Sequence, residues 1–119
     1  MKQFKIIEAY NSLPEFSDVK GLTKRDQWEL YKLKGLLKPH FDFQVEQEEN
    51  IKSKYRAYAD NEGNLTGEKM NQFVKELDEI TNMDVDISFE KPQIKITDGM
   101  TLKIMAPLED FIEFLPPEE

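Results

Sequence analysis

The chain has 119 residues, with 16 Lys and Arg against 24 Asp and Glu, one His, no Cys and a formal net charge of −8. That length suits one domain with a modest core, and the lack of cysteine excludes a disulfide framework, a thiolate metal site and a cysteine nucleophile. No apolar run approaches the ~20 residues of a membrane helix and no stretch near Met1 resembles a secretory signal, so a soluble, cytoplasmic protein is expected.

Ile6, Ile7, Tyr10 and Leu13 recur at helical spacing and predict a short helix over residues 4–13, ending before Pro14. A strand at residues 4–7 is the competing reading, because FKII is short and rich in β-formers. Residues 14–22 hold Pro14, Ser17, Asp18 and Gly21 and read as a connector. Thr23 and Asp26 then have the form of a capping box. Leu30, Leu33, Leu37, Phe41 and Val45 step by three or four, and the stripe resumes at Ile51, Tyr55 and Tyr58. Pro39 and Gly35 interrupt it, which predicts helices over 24–38 and 40–59, or one kinked helix.

Residues 60–64 form a turn cluster, and Thr66 is placed to cap the next helix. Met70, Phe73, Val74, Leu77 and Ile80 give that helix the cleanest amphipathic pattern in the chain, suited to an antiparallel hairpin with its predecessor. The period then changes to two. Val85, Ile87 and Phe89, then Ile94 and Ile96, then Leu102 and Ile104, alternate with polar residues and predict short antiparallel strands. Lys91-Pro92 and Asp98-Gly99 mark the bends, and Pro107 suits the start of a last short helix over 108–115. The fold expected is α+β in a single domain, residues 1–119. An N-terminal helix and connector (1–22) precede an antiparallel helical hairpin (23–81). The hairpin packs on a small antiparallel β element with a short C-terminal helix (82–115), and a tail (116–119) follows.

Candidate chemistry is sparse. If Gly63 were the loop glycine of a calcium-binding hand, Tyr58 and Lys69 would fall where carboxylates must sit, so no calcium loop is expected. His40 is the lone histidine, which removes histidine-rich metal sites and most triads. Asp84 and Asp86 would share one strand face, a spacing open to metal or acid–base chemistry, but Val85, Ile87 and Phe89 claim the opposite face and make that side the wet one. There is no phosphate loop, nucleophile elbow or dinucleotide fingerprint. No enzyme, cofactor or metal is expected.

Trp28, Tyr31, Tyr55, Arg56 and Tyr58 are the candidate partner-binding residues, since amphipathic aromatics and Arg bury large areas at protein interfaces. Residues 1–40 carry net +3 and residues 41–119 net −11. So acidic a surface repels phosphates, which argues against direct nucleic-acid binding. Glu46, Glu48, Glu49, Asp84 and Asp86 are the candidate acidic face. One expectation is therefore a protein partner (self, phage or host). The other is an acidic nucleic-acid mimic that blocks a host defence nuclease in the manner of an anti-CRISPR.

The stretches WELYKLKGLL, IKSKYRAYADNEGN, FVKELDEITNMDVDISF and PLEDFIEF occur in this order. In that arrangement the chain resembles a family of small tailed-bacteriophage proteins with no assigned catalytic residues, over about residues 22–115. It departs from them at Pro39, where their helix is continuous, and in a longer β segment around Lys91-Pro92. The resemblance implies a phage or prophage origin and a bacterial cytoplasm.

Overall fold

The computed structural model describes residues 1–117. Its first helix, α1 (Gln3–Ser17), buries Gln3, Ile6, Ala9, Leu13 and Phe16 along one stripe, which settles residues 4–7 as helix. The helix does not end before Pro14 but runs through it. A proline inside a helix costs ~3 kcal/mol, whereas burying a large apolar side chain contributes ~1.5–3 kcal/mol. Leu13 and Phe16, on either side of Pro14, are no more than 1% exposed, and together they offset that cost.

The second helix, α2 (Lys24–Arg56), opens on the expected capping box. The Thr23 hydroxyl accepts from the Asp26 N–H and the Asp26 carboxylate from the Thr23 N–H, both at 3.0 Å. Of the two readings open at Pro39, the structure has the single helix, of 33 residues and ~50 Å long, ending at Arg56 rather than 59. The carbonyl deprived of its donor by Pro39 is that of Gly35. Both residues are exposed, so that carbonyl lies on the solvent side of the helix while Leu37 stays fully buried.

Asp60 shapes the turn that follows, its Oδ1 accepting from the N–H groups of Glu62 and Asn64 at 2.9 Å each. Gly63 sits there at φ +83°. Thr66 takes the N-cap position of α3 (Gly67–Thr81), but its side chain makes no capping bond. The chain then returns along α2. Lys69 lies over the Tyr58 ring at 4.1 Å, Phe73 meets Tyr55 edge-on at 5.6 Å, and Glu76 Oε1 reaches Lys54 Nζ at 2.6 Å.

The β element is the main correction. Val85, Ile87 and Phe89 point inward and Asp84, Asp86, Ser88 and Glu90 outward, as alternation requires, but the segment pairs only at its start, through a bridge to Lys2. The two strands, β1 (Gln93–Lys95) and β2 (Glu113–Leu115), are parallel, with Ile94 opposite Phe114. A parallel pair needs a crossover, and residues 96–112 supply it. There Leu102–Met105, expected as a strand, forms a one-turn helix, α4, in which the Thr101 hydroxyl accepts from the Ile104 N–H. Leu102 is 79% exposed, whereas the consecutive residues Ile104 and Met105 both pack on the core, which a helical turn allows and strand alternation does not. The expected C-terminal helix is likewise replaced, by a 3-10 turn at Ala106–Leu108 and by β2, whose Phe114 packs edge-on against Phe16 at 5.8 Å. Of the tail, residues 118 and 119 lie outside the described residues.

One core joins Ile6, Leu13 and Phe16 of α1 to Leu30, Leu33 and Leu37 of α2 and to Ile94, Leu108, Phe111 and Ile112. Beyond Pro39, α2 buries only Gln44 and Tyr55 among the described residues, and α3 buries none. The molecule is therefore a head with a helical arm, 60 × 28 × 18 Å. Its radius of gyration of 18.2 Å far exceeds the ~13.5 Å of a compact chain this long.

Candidate functional site

The candidate aromatics fall into two groups. Trp28 and Tyr31, 56% and 69% exposed, stack on each other at 5.7 Å, with Lys32 Nζ 5.8 Å from the Trp28 ring. They project from the head because Leu30 and Leu33 hold the opposite side of α2 in the core. Tyr55 is only 5% exposed and packs on Phe73, while Tyr58 is exposed and Arg56 lies 3.9 Å from Glu49. At 1.5 Å per residue the two groups stand ~40 Å apart on one helix, so they form no common stripe.

A larger apolar surface lies along the arm. At roughly 100° per residue, Met70, Phe73, Val74, Leu77 and Ile80 cover one arc of α3. Only the Phe73 side of that arc meets α2. Met70 and Val74 stay 42% and 46% exposed. One polar contact fastens the arm: the Lys54 ammonium, then the Tyr55 hydroxyl, holds the Glu76 carboxyl below its ordinary value, and Glu76 in turn raises Lys54. Burial, then Glu76, raises the Tyr55 hydroxyl.

The candidate carboxylates are divided between elements. Glu46 and Glu48 lie on nearly opposite sides of α2, ~160° apart. Glu48 accepts from Gln44 Nε2 at 2.9 Å, and Asp84 pairs with Lys2 at 3.2 Å. Asp84 and Asp86 share the outward side of the 84–90 segment. Among the described residues no three His, Cys, Asp or Glu side chains come together as a metal site. His40 contributes its carbonyl, which accepts from Gln3 Nε2 at 2.8 Å.

An open groove of about 880 Å³ runs between α2 and residues 89–93, floored by Leu33, Leu36 and Phe89. Its rim is self-neutralising: Glu29 lies 3.0 Å from Lys32 and 4.0 Å from Arg25, while Asp26 serves the cap. Sequence reasoning missed Gln3 and Gln44, which are 0% and 7% exposed. Their signal was positional, since Gln3 lies three residues before Ile6 and Gln44 seven after Leu37. Comparison of the chain with known protein families, with curated proteins and with solved structures finds no match.

Proposed function

We propose that this is a non-enzymatic accessory protein of a tailed phage or prophage, acting in the bacterial cytoplasm by protein–protein contact and self-associating through its arm. The observation that carries the reading is the apolar arc of α3, none of whose residues is buried. The area supports it. The accessible surface of 8342 Å² exceeds by about 1,600 Å² that of a compact monomer of this mass, and a standard interface removes about 800 Å² per partner. Pairing two arms face to face would cover Met70 and Val74 in the manner of a four-helix bundle. The sequence resemblance supports the phage origin.

Sedimentation velocity over a range of protein concentration tests this. The wild type is expected to move from monomer to dimer, and the double variant Met70→Glu, Val74→Glu to stay monomeric with an unchanged circular dichroism spectrum. A wild type that is monomeric throughout overturns self-association. The net −11 of residues 41–119 favours a second reading, an acidic inhibitor of a nucleic-acid-binding host enzyme. Salt-sensitive capture of such an enzyme from host lysate would support it, because exposed charge pairs are screened.

A further inference from the structure

Residues 83–92 belong to neither named strand, yet their burial alternates as a strand's does and they pair only at their two ends. At its start the Gln3 N–H donates to the Met83 carbonyl at 2.9 Å, and Val85 exchanges bonds with Met1 at 2.7 and 3.2 Å. At its end the Pro92 carbonyl accepts from the Glu113 N–H at 2.9 Å. Between these points the backbone groups of residues 86–91 have no hydrogen-bond partner among the described residues. The side chains nevertheless alternate as in a strand, and Phe89 is held by stacking on Phe111 at 5.7 Å. Val85 turns both backbone groups to Met1, so alternation gives Ile87 and Phe89 that edge and Asp86, Ser88 and Glu90 the other. An unpaired extended edge is a template for another strand.

We infer that the edge begun by Met1, where the backbone groups of Ile87 and Phe89 are unpaired, takes up by strand addition an extended segment of a partner protein that alternates apolar with basic residues. Main-chain bonds would complete the ladder, and charge selects the occupant. Asp84, Asp86 and Glu90 stand on the exposed face, alternate positions lying ~6.6 Å apart, and only Asp84 has an ion-pair partner, Lys2. Opposite charges across a strand pair attract and like charges repel, so Lys or Arg at alternate positions is favoured. The same rule excludes the 84–90 segment of a second copy. The chain's own lysine-bearing alternation, at residues 93–96, is already committed, with Ile94 in the core. This site is separate from the arm and stands or falls independently of it.

The test uses the full chain and two short peptides, one alternating Val with Lys and one Val with Glu, followed by anisotropy and backbone amide NMR. The Lys peptide is expected to bind several-fold more tightly and to shift the amides of residues 86–91. Asp86→Lys with Glu90→Lys should reverse the preference, while Met70→Glu with Val74→Glu leaves it unchanged. Methylating alternate amides of the Lys peptide should abolish binding. Equal affinity for the two peptides, no binding by either, or amide shifts confined to residues outside 83–92 would overturn the inference.

Discussion

Head and arm share one long helix, yet its two halves meet different fates. In the head, Leu30, Leu33 and Leu37 are no more than 4% exposed, because α1 and the crossover segment both pack against that end of α2. In the arm the same spacing brings Tyr55 against Phe73 and Lys54 against Glu76 of α3. The contrast is sharper between α1 and α3, each of 15 residues. The helix with the cleaner apolar period, α3, buries no residue fully and leaves Phe73, Leu77 and Ile80 half-buried, while α1, interrupted by Pro14 and begun by a glutamine, buries five residues. Amphipathic strength sets which face turns inward; the number of neighbouring elements sets how much of that face is covered.

The strongest way to break this contrast is in the head. Leu37→Ala should cost ~2–5 kcal/mol and lower the urea midpoint of the whole chain, since it opens a cavity in the single core. Phe73→Ala removes a half-buried ring from Tyr55 and should cost less, ~1–2 kcal/mol, with hydrogen-exchange protection lost in residues 67–81 and kept in α1. Thr23→Ala should cost ~1 kcal/mol in a thermal melt, and Thr23→Ser little, because only the cap is touched.

Acid gives a gentler test. The Glu76 carboxyl is depressed in the folded state, so its contribution is complete above its ordinary value of 4.5 and is lost as the pH falls below that. Lys54 is raised above 10.5, so its share is lost only as pH rises beyond that value. On acidification the arm should therefore loosen before the head, seen as faster exchange in residues 67–81. Glu76→Gln should flatten that dependence.

Local features were legible in the sequence. The capping box at Thr23, the Asp60 turn and the alternation from Val85 to Phe89 each depend on neighbours in the chain. The pairing of β1 with β2 was not, because Gln93 and Glu113 are 20 residues apart and three-residue strands carry no sign of direction. Pro39 left one helix or two open for a related reason: the penalty depends on whether the orphaned Gly35 carbonyl is wet, which is a tertiary fact. The same holds for the candidate partner residues. Tyr55 and Tyr58 look alike in sequence, yet one is sealed under Phe73 and the other is exposed. The ~40 Å between Trp28 and Tyr55 follows only once α2 is known to continue unbroken.

The most direct test of the arm as a contact surface is hydrogen exchange of the wild-type chain at low and high protein concentration. Protection in residues 67–81 should rise with concentration while that of α1 stays constant, and Met70→Glu with Val74→Glu should remove the rise. An arm whose exchange is independent of concentration, or as slow as the head in the monomer, would contradict it.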